Sequence, residues 1–278
     1  MNVNHSQNPD ALEFLKSGEL LVEAIKAKVK GSIGRKIFFY ETVDSTNTIA
    51  AELAEKGEEE GAVVIADCQN KGKGRLGRHW VSPPGVNIYI SILLRPDIEP
   101  KDATLLTIMA AIGCTVAIRR VTGLNVTIKW PNDLLVSNKK LGGILTEMRT
   151  TRKKIEYVIT GIGINVNMDS DVLPNAIKEV ATSVKMEIGK LHSRTEIVTE
   201  ILDEINHWYK ILKEKRRREL LSQWEQLTST LGREVKIILG KETLTGLAES
   251  IDDEGMLILR LPSGTLRVIR DGDLTILR

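Results

Sequence analysis

The chain is predicted to be an α+β protein: a mixed, antiparallel-rich sheet with helices packed on it, followed by a small β-barrel. Three observations carry this. Short apolar, β-branched runs bounded by turn residues outnumber the helical patterns through most of the chain. Where helical patterns do occur they fall between hairpins rather than in strict alternation with strands, which favours a mostly antiparallel sheet. From Arg233 to Arg278 the runs shorten and are punctuated by Gly240, Asp253-Glu254-Gly255, Pro262-Ser263-Gly264 and Asp271-Gly272, the pattern of a small barrel.

In chain order, residues 1–8 read as disordered, and Pro9 to Val29 has helical spacing broken at Gly18. Lys36 to Tyr40 reads as a strand. A helix begins at Asp44-Ser45-Thr46, with Ser45 and Thr46 as caps, and ends at Gly57. Ala62 to Cys68 is a buried strand, Pro83-Pro84-Gly85 a turn and Val86 to Leu94 another strand. Asp102 to Val121 is the longest helical pattern in the first half. Val126 to Trp130 is a strand closed by the turn Pro131-Asn132-Asp133. Leu134–Val136 and Leu141–Met148 form a hairpin around Ser137-Asn138-Lys139, and Ile155 to Val166 is a further strand. Helices occupy much of 194–228. The expected parts are an N-terminal helical extension over 1–35, a main domain over 36–230 and the small barrel over 231–278.

Of the 278 residues 42% are hydrophobic and 27% charged, enough for a sizeable core. A net charge of +2 is too balanced to argue for nucleic acid. Cys68 and Cys114 form no disulfide framework, and the four histidines never stand at metal-ligand spacing, so no metal site is expected from protein residues. Met1 to Asp10 has no signal-peptide core and no run of 18 apolar residues occurs, so a cytoplasmic, membrane-free protein is expected.

The segment richest in chemistry is Gly72-Lys73-Gly74-Arg75-Leu76-Gly77-Arg78-His79-Trp80. Its glycines spell G-x-G-x-x-G after a strand, but a dinucleotide fold needs a helix to open at the third glycine. The prolines at 83 and 84 leave no room for one. A P-loop is excluded because no Gly-Lys-Ser/Thr occurs. The loop still suits an anion: glycines let backbone N–H groups approach, and Lys73, Arg75 and Arg78 concentrate positive charge. Read alone, a solvated basic turn fits it equally well.

Three other segments stand out: Asp44-Ser45-Thr46-Asn47, Lys129-Trp130-Pro131-Asn132-Asp133 and Lys140-Leu141-Gly142-Gly143. Each alone could be a helix start, a hairpin turn or an exposed turn lysine. Together and in order with Gln69, the loop, Ser82-Pro83, Gly85, Asn87 and Gly161-Ile162-Gly163-Ile164-Asn165, they resemble the signature of biotin–protein ligases. The likeness runs from about Ile37 to the C-terminus. It implies a catalytic domain related to class II aminoacyl-tRNA synthetases and a C-terminal barrel of Src-homology type. It further implies ATP-dependent activation of biotin to biotinyl-5'-adenylate, then transfer to one lysine of a biotin carboxyl carrier domain, with ATP and Mg2+ required.

By the same resemblance, Arg75 and Lys140 are the catalytic pair at the carboxylate–phosphate junction. Biotin would contact Ser45, Thr46, Asn47, Gln69, Gly72, Lys73, Gly74, Arg75, Lys140 and Gly143. ATP would contact Arg75, Arg78, Trp80, Asn132, Asp133 and Asn165, with Asp133 the carboxylate nearest Mg2+. The loop is expected to be mobile when empty and to close over the adenylate. Leu76 stands where many relatives carry arginine, and Lys73 follows Gly72 where they carry arginine, which leaves the effect on affinity and on ligand-driven dimerisation open.

Some members of this family also repress transcription through an N-terminal helix-turn-helix domain. Only about 35 residues precede the first strand, with one broken helical pattern, so a form without DNA binding is expected. The basic run Lys213 to Arg218 lies in a helical segment with Glu214 and Glu219 and reads as a solvated face. An exposed edge strand could support a homodimer. A lipoate–protein ligase and a non-catalytic biotin-binding module remain the alternatives.

Overall fold

In the computed structural model, residues 20–151 and 154–277 are described. The expectations for residues 1–8, for the leader region and for the start of the Pro9–Val29 helix lie outside them. A short helix α1 (Val22–Lys28) leads into β1 (Ile37–Val43), α2 (Thr46–Glu55), β2 (Val63–Gln69) and β3 (Ile88–Leu94). Helix α3 (Thr104–Thr122) is followed by β4 (Thr127–Lys129), β5 (Asp133–Val136), β6 (Lys139–Thr151) and β7 (Lys154–Ile164). Three helices come next: α4 (Val184–Ile188), which the sequence patterns do not signal, then α5 (Arg194–Lys213) and α6 (Arg217–Leu227).

These seven strands form one sheet in the order β1-β2-β3-β7-β6-β5-β4. Only β1 and β2 are parallel, and α2 supplies the crossover a parallel pair needs. The tight connection between β5 and β6 is the two residues Ser137-Asn138, both with positive φ (50° and 66°), the geometry that matches hairpin twist. Lys139 belongs to β6 rather than to the turn, and Asp133 opens β5 rather than closing a turn.

Strand alternation divides the core in two. Ile65, Ile90, Val158 and Ile162 face α3, α5 and α6, while Val64, Leu93 and Ile159 face α2. The α3 region, Pro100–Thr122, is long and apolar enough to cross a membrane by length and composition, but most of it is buried in the first of these clusters.

The last segment forms β8 (Glu234–Leu239), β9 (Glu242–Ile251), β10 (Leu257–Arg260), β11 (Leu266–Ile269) and β12 (Asp273–Ile276). They make an antiparallel sheet ordered β11-β10-β9-β8-β12. Its apolar face joins the main core through Val235, Ile237, Leu257 and Leu259. Trp130, fully buried, ties the units together: its N–H bonds Thr230 Oγ1 (2.9 Å) and its indole N–H bonds the Gly255 carbonyl (3.2 Å). This contact fixes how the C-terminal sheet sits beside the main one.

Candidate active site

The glycine-basic loop joins β2 to β3. It closes on itself: Gly74 N–H bonds the Arg78 carbonyl (2.7 Å) and Trp80 N–H bonds the Gly72 carbonyl (2.9 Å). At its tip, Leu76 (φ 55°) and Gly77 (φ 72°) both have left-handed backbone, and Leu76 is 63% exposed. A strand and not a helix follows, as the paired prolines require. Gly72 packs against the Trp80 carbonyl and forms the neck of the loop. The loop borders a cleft of about 630 Å3, and every other residue expected in the site lines it.

One end of the cleft is a hydrogen-bonded network of hydroxyl and amide groups that ends on one carboxylate, Glu147. Ser45, Thr46 and Asn47 are buried at the start of α2. The expected side-chain cap is absent: Ser45 holds the N-cap position, but its hydroxyl makes no cap hydrogen bond. Thr46 is inside the helix, and its N–H and hydroxyl both bond Gln69 Oε1 (2.9 and 3.1 Å). The Gln69 amide N–H in turn bonds Ser82 Oγ (3.0 Å). Asn47 donates to Glu147 Oε2 (2.6 Å) and accepts from the Ser91 hydroxyl (2.6 Å). Lys73 lies 3.9 Å from the other Glu147 oxygen.

Ser91 and Glu147 are participants that the sequence patterns do not reveal. They come from β3 and β6, and only strand alternation puts them beneath α2.

Two glycines on β7 admit the site. A Cβ at Gly161 would overlap Asn47 Oδ1, and one at Gly163 would stand 2.6 Å from Trp80 Nε1. Gly161→Ala is therefore expected to displace Asn47 and weaken ligand binding at this end by about tenfold or more, since a misplaced buried hydrogen bond costs roughly 1–3 kcal/mol. Titration with biotin, which the resemblance expects at these residues, checks it, with ATP as the control; equal losses for both would refute that expectation.

The other end is charged. Arg75 donates to Asn132 Oδ1 (2.8 Å), and the Asn132 amide donates to the Ile144 carbonyl (2.7 Å). Both ends of that amide are thus engaged with protein, and Asn132 aims Arg75. Lys140 and Lys129 meet Asp133 from either side (2.6 and 3.0 Å). Burial raises the Asp133 pKa, but the two ammonium groups outweigh it and hold the carboxyl below its ordinary range. Burial likewise lowers the Arg75 pKa, against the pull of Asp133 and Asp273.

Lys140 also stands 5.4 Å from the centre of the Trp80 ring, which makes Trp80 part of the cleft wall rather than of the core. A Cβ at Gly143 would stand 3.4 Å from Lys140 Cε, and Asn165 donates to the Thr182 carbonyl (3.0 Å).

Met168, Leu173, Ile177 and Val180 add an apolar wall, and Arg233 with Gly272–Leu277 add a rim from the C-terminal sheet. The wall is pinned by backbone bonds between Lys140 and Val180 (2.7 Å) and between Thr182 and Lys140 (2.9 Å). No local motif marks this segment.

Among the described residues no group of three His, Cys, Asp or Glu side chains could hold a metal ion. Asp133, the carboxylate expected nearest Mg2+, is engaged by two lysines.

The basic run Lys213–Arg218 is not one helical face. It spans the end of α5 and the start of α6, with Lys215 at φ 59° between them. Its charges are largely answered within the protein: Lys213 by Glu60, Arg216 by Glu214 and Glu219, and Arg217 by Asp102.

Comparison with known proteins agrees with this geometry. The model of the biotin/lipoate A/B protein ligase family matches residues 39–165, and that of the biotin protein ligase C-terminal domain matches residues 230–273. The bifunctional ligase/repressor BirA of Bacillus spizizenii is 35% identical over 262 residues, covering 91% of this chain and 78% of its own length. The biotin–[acetyl-CoA-carboxylase] ligase of Paracoccus denitrificans is 34% identical over 226 residues, covering 80% and 92%. Among solved structures, the Aquifex aeolicus biotin protein ligase in complex with biotin and ATP matches with a TM-score of 0.75 and 32% identity, over 88% of this chain and 99% of that one. The chain belongs to the biotin protein ligase family.

Proposed function

We propose that this chain is a biotin–[biotin carboxyl-carrier protein] ligase. It joins biotin to ATP, giving biotinyl-5'-adenylate and pyrophosphate, and passes the biotinyl group to a lysine of a carboxylase carrier domain, releasing AMP. The observation that carries this is one cleft with a network of hydroxyl and amide hydrogen-bonding groups on one side and Arg75 and Lys140 on another.

In the first step the biotin carboxylate attacks the α-phosphorus and the bond to pyrophosphate breaks. Two anions must approach, so fixed positive donors at the junction carry the catalysis. Arg75 and Lys140, both lining the cleft, would supply them, with Arg78 on the side of the departing phosphates. Ser45, Thr46, Asn47 and Gln69 offer the hydroxyl and amide groups that a ureido ring can match, with Lys73, Gly74 and Gly143 along the remaining length of the biotin site. Trp80 offers a ring face to adenine, and Asn132 and Asn165 line the nucleotide side. Asp133 holds Lys140, and Mg2+ travels with the phosphates of ATP.

In the second step the neutral carrier amine attacks the acyl carbon, AMP leaves and the amine loses a proton. The glycine-basic loop covers the mixed anhydride and excludes water meanwhile.

Residues 1–35, 36–230 and 231–278 are the parts of this reading. Internal pairing of the basic run supports a ligase without nucleic-acid binding, which a gel shift by the bare chain would overturn. The unpaired Cys68 and Cys114 support a cytoplasmic setting. A homodimer would use the β1 edge of the main sheet, since residues 228–230 bond along the β4 edge.

The test is transfer of labelled biotin to a purified carrier domain, with Lys140→Ala as control and lipoate as competing substrate. Transfer of biotin that is lost in the variant is expected. Faster pyrophosphate release with lipoate would make the chain a lipoate ligase, and biotin binding without ATP turnover would make it a binding module.

A further inference from the structure

Asn47 sits over a hole in the main sheet. Ser91 on β3 and Leu145 on β6 stand in register on either side of Gly161 on β7, and the missing Gly161 side chain makes the hole. Both hydrogens of the Asn47 amide are directed at β6: Nδ2 donates to Glu147 Oε2 (2.6 Å) and to the Leu145 carbonyl (3.4 Å). A carboxylate and a carbonyl only accept, so this end of the amide must be the nitrogen. Asn47 Oδ1 therefore faces Ser91 Oγ, 2.6 Å away, and takes that hydroxyl's single proton.

What remains on Ser91 Oγ is capacity to accept. It lies 2.8 Å from Thr46 Oγ1, nearer than Gln69 Oε1, which the Thr46 hydroxyl also reaches at 3.1 Å. The Thr46 hydroxyl thus has one proton and two acceptors. Turned to Ser91, it leaves Gln69 Oε1 holding the Thr46 N–H alone, with one lone pair free. The order reverses if the Asn47 amide is turned over. Asn47 would then donate to Ser91, Ser91 to Thr46 and Thr46 to Gln69, and two donors would fill Gln69 Oε1. Thr46, Asn47 and Gln69 line the cleft, whereas Ser91, fully buried, and Glu147 do not.

We propose that Glu147 is a positioning residue that sets the direction of this chain of protons. Its charge forbids the reversed order, so the cleft wall at Thr46 and Gln69 presents acceptors to a ligand that brings N–H donors. Glu147 acts through Asn47 and Ser91 and touches no ligand itself. The proposal rests on the ligase reading above, under which those donors are the two N–H groups of the ureido ring. It makes β6 and β3, and not only the motif residues of α2, responsible for the choice of substrate.

The experiment titrates the intact chain with biotin and with its cyclic carbonate analogue, in which oxygen replaces both ring N–H groups. The wild type is expected to prefer biotin. Glu147→Gln keeps the shape and admits the reversed order. Biotin binding is expected to weaken about three- to tenfold, the range of one neutral hydrogen bond, while the analogue binds as before. Ser91→Ala breaks the chain one step further on and should narrow the preference by the same range. Equal losses for the two ligands in Glu147→Gln would make Glu147 a support for the fold and overturn the proposal. A preference as strong as that of the wild type would overturn it too. If Glu147→Gln melts early, Ser91→Ala is read by the same two titrations, and an unchanged preference there overturns the proposal. A wild type that binds no biotin would sink the ligase reading and this proposal with it. A wild type that prefers biotin beside a variant that prefers it as strongly sinks the proposal alone.

Discussion

Arg75→Ala is expected to lower biotin-dependent pyrophosphate release by about 100- to 1,000-fold, the usual loss when one fixed donor to a developing charge is removed. Arg75 is the least exposed of the loop's three cations. Its side chain is 24% exposed, against 63% for Arg78, and Asn132 aims it. Loss of the side chain removes a charge that no neighbour replaces, because Lys140 is already drawn toward Asp133. The effect should fall on kcat more than on the KM for biotin, whose hydroxyl and amide network at Ser45–Asn47 and Gln69 stands on another side of the cleft.

Arg75→Lys should recover little. A lysine brings the charge but not the planar fork that can bond Asn132 and a second acceptor together. Stability should hardly change, since the partner left behind, Asp271, is 63% exposed. A single-turnover rate within about threefold of wild type would remove Arg75 from the chemistry, far outside the loss that one donor predicts.

The second large effect is expected at Asp133. This carboxylate stands between two ammonium groups and is itself 16% exposed. Asp133→Ala leaves Lys129 and Lys140 facing each other with nothing between them. Removing one partner of a buried pair costs about 3–5 kcal/mol. Lys140 is 36% exposed and can turn toward water, so the loss here should be about 2–3 kcal/mol, read by urea unfolding. Activity should fall as well, because Lys140 is no longer held beside Trp80. Asp133→Asn keeps the shape and loses the charge, so it separates packing from electrostatics.

The pH dependence gives a second reading of the same residue. The folded-state pKa of Asp133 is depressed, so its contribution to stability is fully present above the unfolded value of about 3.9 and is lost as pH falls through the folded value. Wild type should therefore lose stability on the acid side, below about pH 5, more steeply than Asp133→Ala. Parallel curves for the two proteins between pH 3 and 6, on the order of the window set by that linkage, would show that the carboxylate is not held by the lysines.

Most of the secondary structure was legible because its signals are local. Short apolar, β-branched runs marked β2, β3 and β7, the helical period marked α3, α5 and α6, and glycines marked the turns of the C-terminal sheet. Misreadings cluster where a distant partner overrides a local preference. Ser45 is an N-cap by position, yet its hydroxyl makes no cap bond, while the neighbouring Thr46 is engaged by Gln69 from β2. Residues 184–188 form a helix too short to leave a periodic trace.

The site divides in the same way. Its motif residues, Ser45 to Asn47, Gln69, the loop, Asn132, Asp133, Lys140 and Asn165, could be named from the sequence because they occur in short, ordered, unusual strings. Ser91 and Glu147 could not, since a serine or glutamate in a strand is unremarkable until the sheet is assembled and β3 and β6 lie under α2.

The loop shows the boundary most clearly. Its glycines, its three positive charges and the prolines that forbid a following helix are properties of consecutive residues, so the sequence by itself determined a basic turn with no helix after it, and left a solvated loop and an anion site equally open. Which carboxylates meet those charges was decided only by the tertiary structure. Asp271 and Asp273 are nearly two hundred residues away, and they reach Arg75 and Arg78 only because Trp130, Thr230 and Gly255 seat the C-terminal sheet beside the cleft. Coulomb attraction acts through space, whereas the patterns legible in a sequence act along the chain.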